Sequence, residues 1–192
     1  MNNKPLLAIV VEKLKGIVNE VVIVAASEEK VNEYAQVLPH GLHFALDEES
    51  EGSLEAALTG FRASHGKYSL LLPSNAPFVS NDVVSLLFEL CVGKSAVIPR
   101  WPDNRIEVLQ SVYETRNLLE SGKEKLANNA QTLEALVNKM RGVRYLSTMV
   151  IKQLDPDFLT FFKVESSLQL KKAAAIEKSR KQGSQKASYK WR

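Results

Sequence analysis

Residues 68–80 read Tyr68-Ser69-Leu70-Leu71-Leu72-Pro73-Ser74-Asn75-Ala76-Pro77-Phe78-Val79-Ser80, and this stretch decides how the chain is expected to fold. Three consecutive leucines indicate a strand that is buried on both faces of a parallel sheet. Pro73 should end that strand, because proline has no N–H for a ladder hydrogen bond and restricts the residue before it. Ser80 is a typical N-cap residue, so a helix is predicted to begin there.

The polar elbow between this strand and this helix is the place where a ligand is expected. In open α/β sheets, ligands bind just beyond the carboxyl ends of the strands. Ser74, Asn75 and Ala76 occupy that position in the sequence. Asn75 has two interpretations that stay open: it binds a cation or a phosphate, or it forms a turn by bonding its own backbone.

The remainder of the chain alternates between strand and helix patterns, which predicts a layered α/β fold with a mainly parallel sheet. Buried or short strands are predicted at 21–26, 42–46, 95–99, 144–146 and 161–164, and an antiparallel strand at 107–113. Helices are predicted at 5–18, 27–37, 53–63, 82–90, 114–140 with a break near Ser121-Gly122, and 166–181, followed by a frayed end.

Composition limits the class of protein. The chain has 192 residues, of which 45% are hydrophobic, enough for one domain with a substantial core. No apolar run approaches the roughly 20 residues that span a bilayer, and the first residues lack a secretion signal, so a cytoplasmic protein is predicted. Cys91 is predicted to be a small buried hydrophobe. The three histidines, His40, His43 and His65, show no metal-binding spacing and are assigned no chemistry.

Charge divides the chain into two parts. Residues 171–192 carry eight Lys or Arg and one acid, whereas residues 1–170 have a net charge of −4. We therefore predict a domain over 1–170 and a basic C-terminal helix and tail over 171–192. The tail, with Tyr189 and Trp191, is interpreted first as a solubilising terminus; nucleic-acid binding through phosphate contacts and stacking is the alternative.

A series of motifs, taken in order, resembles the MobA-like nucleotidyltransferases, the family of the molybdenum cofactor guanylyltransferases. The resemblance covers roughly residues 4–175, and the ordered series is more persuasive than any single motif. The matching segments are Lys4-Pro5-Leu6-Leu7, Glu20–Val24, Asp47 with Gly52-Ser53-Leu54, Leu72–Phe78, Ala96–Pro99, Glu107–Tyr113 and Phe161–Leu170.

The resemblance implies a Rossmann-like three-layer sandwich of the nucleotide-diphospho-sugar transferase type. It implies transfer of GMP from GTP, or of another nucleotide, to a phosphorylated acceptor such as molybdopterin, with Mg²⁺ as cofactor. By resemblance, Asn75 stands at the catalytic and metal-binding elbow, and Asp47, Gly52 and Asn75 would contact the nucleotide. A solvated acidic loop at a helix N-terminus explains Asp47 and its neighbouring glutamates equally simply.

A polar loop after the strand at 95–99 is the candidate acceptor site. Arg100, Asn104 and Arg105 lie in this loop, and arginine suits bidentate phosphate contacts. Trp101 could stack on a pterin. The alternative is an exposed loop whose tryptophan simply packs on the core.

The sequence departs from the family pattern in ways that predict a poor catalyst. The glycine-rich loop that precedes Lys4-Pro5 in the family is absent from these residues, and Asn75 replaces the elbow aspartate. An amide oxygen can coordinate a cation but supplies no charge. Two accounts stay open: the start has been assigned downstream of the true one, or the chain has diverged. Ala25-Ala26 and Lys163–Gln169, which also depart from the pattern, favour divergence as part of the explanation.

Two other functions remain open alongside guanylyl transfer. One is a non-catalytic relative that binds a partner, a small anion or nucleic acid. The other is a nucleotidyltransferase for a sugar phosphate or cobinamide phosphate. The sequence leaves the base preference, the acceptor, the oligomeric state and the presence of catalysis undecided.

Overall fold

The computed structural model describes residues 4–48, 52–126 and 132–188. The strands are β1 Val22–Ala25, β2 His43–Leu46, β3 Tyr68–Leu71, β4 Ala96–Arg100, β5 Ser111–Glu114 and β6 Val143–Ser147. The α-helices are α1 Leu6–Leu14, α2 Glu28–Val37, α3 Ser53–Ala63, α4 Asn81–Cys91, α5 Thr115–Leu126, α6 Leu133–Val137, α7 Thr148–Ile151 and α8 Ser167–Ser188. A short 3-10 helix spans Leu159–Phe161.

The described strands form two sheets. In the smaller sheet, β1 and β2 pair in parallel. The larger sheet has the order β3-β5-β4-β6, in which β5 runs antiparallel to β3 and β4 while β6 runs parallel to β4. Strands β3 and β4 therefore point in the same direction. These findings confirm the predicted α/β fold, which has mixed sheets, and an antiparallel strand close to residues 107–113. The prediction that the leucine strand is buried on both faces of a parallel sheet is wrong, because β3 is half-buried at the edge of its sheet and pairs only with the antiparallel β5.

Helices cover both faces of the larger sheet. Ile98 of β4 belongs to a buried cluster with Leu58 of α3 and Leu118 of α5, whereas Val97 belongs to a cluster with Leu87 of α4. Neighbouring residues of a strand point to opposite faces, so α3 and α5 lie on one side and α4 on the other. This is the three-layer sandwich that the sequence predicts.

A cavity of about 1100 Å³ separates β1 from β3. It is bordered by the facing edges of the two strands and by apolar positions of α1, α3 and α4, including Val10, Val24, Gly60, Leu70 and Phe88. An unpaired strand edge presents a row of backbone donors and acceptors. An apolar space therefore separates the two sheets, with the edge of β1 on one side and the edge of β3 on the other.

Local signals placed several helix boundaries correctly. The side chain of Ser27 accepts a hydrogen bond from the backbone N–H of Lys30 at the start of α2. Ser80 accepts in the same way from the N–H of Val83 at the start of α4. Both capping interactions confirm the predictions, because a serine oxygen satisfies an N–H group that the helix leaves without a partner.

The predicted helix break at Ser121-Gly122 is wrong, because α5 runs through both residues. A Cβ atom placed on Gly122 would lie 2.5 Å from Cδ2 of Leu58. The glycine therefore permits close contact between α5 and α3 rather than ending a helix. The sequence alone does not reveal that Leu58 lies against this glycine.

The predicted strand at 161–164 is also wrong. Leu159–Phe161 forms a 3-10 helix instead, after Phe158 adopts a left-handed conformation with φ of 53°. The carboxylate of Asp155 accepts hydrogen bonds from the N–H groups of Leu159 and Thr160, at 3.0 and 2.6 Å. Asp155 thereby holds the 3-10 turn. Within this turn the N–H groups of Phe161 and Phe162 donate to the carbonyls of Phe158 and Leu159, so they cannot join a strand ladder.

The C-terminal region is helical further than predicted, since α8 continues to Ser188 rather than fraying after residue 181. The domain boundary proposed at residue 170 falls inside α8 and stays a prediction. Tyr189 and Trp191 of the basic tail, and Glu49 and Glu51 of the acidic loop, lie outside the described residues.

Cys91 is fully buried, as predicted, and burial raises the pKa of its thiol to about 11. A thiol with such a pKa stays protonated and behaves as a small apolar side chain. In the described part of the chain, no helix combines the length and the apolar character needed to cross a membrane.

Glu20 connects the two sheets at the amino ends of their strands. Its Oε1 accepts hydrogen bonds from the N–H groups of His65 and Gly66, at 2.6 and 2.9 Å, and from the Ser64 hydroxyl at 3.1 Å. Burial alone would raise the pKa of Glu20, but these bonds and a contact with the His65 ring outweigh burial and lower the pKa to about 2. The carboxylate is thus charged over the ordinary pH range.

Replacing Glu20 with glutamine should destabilise the fold most strongly at neutral pH. A lowered pKa means that the charged group stabilises the folded state above pH about 4.5, and that this contribution is lost as the pH falls toward 2. We would measure the free energy of unfolding of Glu20→Gln and of the parent chain by urea at several pH values. The two free energies should therefore converge as the pH falls from 4.5 to 2. Glu89→Gln, at an exposed carboxylate on α4, is the control. A difference in unfolding free energy between Glu20→Gln and the parent chain that is the same at every pH would contradict this account.

Candidate functional site

Asn75 lies just after β3, at the carboxyl end predicted to hold a ligand. Its side-chain Nδ2 donates to the carbonyl of Val164 at 3.1 Å, and its own carbonyl accepts from the N–H of Val164 at 2.9 Å. The asparagine therefore attaches the segment after the 3-10 helix to the elbow. This leaves Oδ1 as the atom through which Asn75 could coordinate a cation.

Asp47 follows β2 and lies next to α3. The hydroxyl of Thr59 donates to its Oδ1 at 3.0 Å, and Thr59 lies on α3, so this bond orients the carboxylate from the neighbouring helix. Gly52 is the N-cap residue of α3, with extended backbone and no side-chain cap. Both residues lie at the carboxyl end of the smaller sheet, as the sequence predicts.

The predicted acceptor loop is a tight turn after β4. The N–H of Trp101 donates to the carbonyl of Arg105 at 2.8 Å, and the N–H of Asn104 donates to the carbonyl of Trp101 at 2.9 Å. Asn104 has a φ of 67°, a left-handed conformation that asparagine tolerates better than most residues. Its position in the turn is explained by backbone geometry.

The two arginines of this loop lie in different places. The guanidinium of Arg105 lies over the ring of Trp101, 5.0 Å from its centroid. The guanidinium of Arg100 lies over the ring of Tyr145 on β6, 4.9 Å from its centroid. Arg105 and Trp101 thus form one group, while Arg100 stacks on the neighbouring strand.

Glu107 is the centre of a polar cluster that the sequence reading missed. Its Oε1 accepts from Nε1 of Trp101 at 2.8 Å, and its Oε2 accepts from Nζ of Lys163 at 3.4 Å. Nη1 of Arg105 lies 3.7 Å from the same carboxylate. The residue is only 9% exposed, so the charge is largely removed from water and is balanced by the two cations.

The 3-10 segment holds one side of this cluster in place. Phe158 and Phe161 pack against the ring of Trp101 with centroid distances of 5.0 and 5.5 Å. The carbonyl of Thr160 accepts from Nε2 of the buried Gln110 at 2.7 Å, and its hydroxyl accepts from the N–H of Ser80. Trp101 is therefore surrounded by aromatic rings and has a fixed indole orientation.

The sequence contained weak signals for these missed residues. Glu107 and Lys163 both fall in segments that were compared with the family motifs, but a single charged residue does not reveal its partner. Of the predicted acceptor residues, Arg105 joins the Glu107 cluster, Asn104 shapes the turn, and Arg100 contacts Tyr145.

The architecture of the chain is shared with proteins of known structure. It is similar to molybdopterin-guanine dinucleotide biosynthesis protein A from Archaeoglobus fulgidus, with a TM-score of 0.74 at 19% identity over 91% of this chain and 86% of that chain. It is also similar to 2-C-methyl-D-erythritol 4-phosphate cytidylyltransferase from Thermus thermophilus, with a TM-score of 0.64 at 16% identity over 90% of this chain and 89% of that chain. The fold is that of the nucleotide-diphospho-sugar transferases.

The sequence comparisons identify the family within this class. The family described as MobA-like NTP transferase domain matches residues 1–143. A "Probable molybdenum cofactor guanylyltransferase" from Methanosarcina acetivorans is 30% identical over 169 residues, which are 85% of this chain and 75% of that protein. The chain belongs to the MobA-like NTP transferase domain family, and the resemblance stated from the sequence is confirmed.

The residues at the elbow fit the Mg²⁺ implied by the family poorly. Mg²⁺ in proteins is usually bound through one or two carboxylates together with substrate phosphates. The elbow offers the amide oxygen of Asn75, whereas the candidate carboxylate of Asp47 follows a strand of the smaller sheet and already accepts from Thr59. These residues do not form a tight Mg²⁺ site.

Proposed function

We propose that the chain is a guanylyltransferase-type member of its family, which transfers GMP from GTP to a phosphorylated acceptor such as molybdopterin and releases pyrophosphate. The observation that carries the proposal is the ordered Trp101–Glu107–Lys163 cluster at the carboxyl end of β4, in a chain of this family. We also propose that the protein acts in the cytoplasm, and that Mg²⁺ arrives with the nucleotide rather than occupying a site built by the protein.

The acceptor end is the better formed half of the proposed site. Arg105 and Lys163 supply positive charge beside Trp101, and Glu107 positions both cations. A cation pair suits an acceptor phosphate, and arginine gives bidentate contacts. Since Arg105 is 62% exposed on its side chain, it could turn from Glu107 to a phosphate at small cost.

The part of the proposed site that would bind the nucleotide triphosphate is open. The apolar face of α1 lines the cavity between β1 and β3, and the glycine-rich loop of the family would precede this helix. We propose that tight triphosphate binding requires a strand and loop in this cavity. Because the elbow carries the uncharged Asn75, transfer should be slow, since positioning and charge neutralisation carry catalysis in phosphoryl-transfer sites.

The experiment is transfer of label from α-³²P-labelled GTP to molybdopterin in the presence of Mg²⁺, with pyrophosphate measured in parallel. We expect labelled product to form slowly, in equal amount to pyrophosphate, and more readily from GTP than from CTP or ATP. Absence of labelled product after long incubation at saturating substrate would contradict the proposed activity.

Asn75→Asp should restore the missing charge at the elbow at some cost in stability. Aspartate cannot donate to the carbonyl of Val164, so the free energy of unfolding should fall by about 1–3 kcal/mol. The affinity for GTP with Mg²⁺ should rise by up to about tenfold, which corresponds to 1.4 kcal/mol. Thermal unfolding and titration calorimetry measure the two effects.

Asn75→Ala separates the two effects of that substitution. Alanine also removes the bond to Val164 but adds no charge, so it should lose stability without gaining nucleotide affinity. Equal nucleotide affinity in the aspartate and alanine variants would show that the elbow does not contact Mg²⁺ or phosphate.

A non-catalytic binding protein is the second candidate, favoured by the uncharged Asn75 at the position where the family pattern has aspartate. Such a protein would bind the phosphorylated acceptor without transferring GMP. Binding of molybdopterin that is lost in Lys163→Ala, together with no labelled product, would select this function.

A further inference from the structure

Three residues that are distant in sequence meet at the amino ends of the strands, on the opposite edge of the sheets from Asn75. Glu20 precedes β1, His43 is the first residue of β2, and His65 lies between α3 and β3. One potential ligand atom from each residue lies within 4.8 Å of the others. The two imidazole rings meet edge to face with centroids 6.0 Å apart.

Glu20 is already oriented as a metal ligand would be. Its Oε1 is held by the N–H groups of His65 and Gly66, while its Oε2 lies 3.1 Å from Nδ1 of His65. Hydrogen bonds from surrounding groups fix metal-binding carboxylates in the same manner and leave one oxygen for the ion. A carboxylate supplies the negative charge that a divalent cation needs.

We propose that Glu20, His43 and His65 bind a divalent transition-metal ion, with Zn²⁺ as the ion that fits best. Two imidazoles and one carboxylate form a common three-ligand set for zinc, with water in the fourth position. Mg²⁺ prefers oxygen ligands in octahedral geometry and would bind poorly to this set. The site is therefore separate from the cation expected to accompany the nucleotide.

The ligand atoms need only a small rearrangement to reach zinc geometry. Ligand atoms around tetrahedral zinc lie about 3.3 Å apart, given bond lengths near 2.0–2.1 Å. The side chain of His65 is 80% exposed and His43 is also exposed, so both rings can rotate toward the carboxylate. The bond between Glu20 and Nδ1 of His65 would be replaced by two bonds to the ion.

Metal binding here would connect the two sheets. His43 belongs to the smaller sheet, and His65 lies in the loop between α3 and β3, the first strand of the larger sheet. Glu20 and His65 also line the cavity between β1 and β3. The ion would thus connect the two sheets at the amino ends of their strands, and its binding would require no substrate.

The test is Zn²⁺ titration of the full chain, purified without a histidine tag and stripped with chelator, in the absence of nucleotide. We expect one ion per chain, a rise in melting temperature with Zn²⁺, and no comparable effect of Mg²⁺. His43→Ala and His65→Ala should each weaken Zn²⁺ binding at least tenfold. His40→Ala is the matched control, since it removes an exposed histidine close to His43 but outside the cluster.

Cobalt substitution provides a readout of the ligands themselves. Co²⁺ bound by two imidazoles and a carboxylate in tetrahedral geometry should give visible absorption that His43→Ala and His65→Ala abolish and His40→Ala retains. The proposal is overturned if the chain shows no saturable binding of one Zn²⁺. It is also overturned if the His40 variant loses as much affinity as the other two.

Discussion

Glu107→Ala is expected to lower the free energy of unfolding by about 2–3 kcal/mol. Breaking a buried ion pair commonly costs about 3–5 kcal/mol, because one charge stays buried without a partner. Here the loss should be smaller, since the side chains of Lys163 and Arg105 are 26% and 62% exposed and remain partly solvated. Nε1 of Trp101 also loses its acceptor. Urea unfolding measures the difference.

Asp103→Ala provides the matched control, because Asp103 pairs with the same arginine but lies on the surface. Its carboxylate is 3.7 Å from Nε of Arg105 and its side chain is 66% exposed. Exposed pairs contribute only about 0–1 kcal/mol. Similar losses in the two variants would show that burial of Glu107 does not organise the cluster.

Asp155→Ala is expected to lower the free energy of unfolding by about 3 kcal/mol. It should also disturb the acceptor end, which Asp155 does not itself contact. The buried carboxylate of Asp155 accepts from the N–H groups of Leu159 and Thr160. Hydrogen bonds to charged groups contribute about 1.5–3 kcal/mol each, and loss of the acceptor leaves both donors unpaired. The rings of Phe158 and Phe161 should then lose their fixed contact with Trp101.

Two further variants make this second prediction specific. Asp155→Asn keeps one acceptor oxygen and should lose roughly half as much stability. Asp157→Ala, at an exposed aspartate two residues away, should change stability by less than about 0.5 kcal/mol. The near-ultraviolet circular dichroism of the alanine variant at position 155 should weaken in the aromatic region. An unchanged spectrum together with unchanged stability would contradict the role given to Asp155.

The parts of the fold that depend on local interactions could be predicted from the sequence. Ser27 and Ser80 mark helix starts because an N-cap serine bonds to a backbone N–H only three residues away. The apolar runs at β1, β3 and β4 indicate strands, as found, but only β4 is buried along most of its length, as uninterrupted apolar residues suggest. Strand β3 is half-buried, because it lies at the edge of its sheet. The sequence also predicts an antiparallel strand at 107–113, and β5 begins inside that segment.

The errors arise where a distant residue decides the local structure. Ser121-Gly122 predicts a helix break, but the small size of Gly122 matters instead because Leu58 of α3 lies against it. Residues 161–164 have the apolar pattern of a strand, yet Asp155 holds a 3-10 turn just before them. The N–H groups of Phe161 and Phe162 donate within that turn, and the N–H of Val164 donates to Asn75. In both cases the deciding partner is visible only once the chain has folded.

The sequence predicts where the candidate site lies better than it predicts which residues touch each other there. The carboxyl ends of the strands hold Asp47, Asn75 and the turn at Arg100–Arg105, as the general rule for open sheets implies. The sequence could not show that Glu107 joins Trp101 to two cations. Nor could it show that His43 and His65 meet at Glu20, because their spacing along the chain resembles no metal motif.

Titration of GTP and Mg²⁺ into the 192-residue chain tests the central claim most directly, namely that these residues form the family fold and the acceptor end but not a tight site for the triphosphate. The account predicts a Kd in the millimolar range, about −4 kcal/mol of binding free energy. A micromolar Kd, about −8 kcal/mol, would contradict it. Such a result would mean that Asp47, Asn75 and their neighbours hold the nucleotide despite the uncharged amide at the elbow.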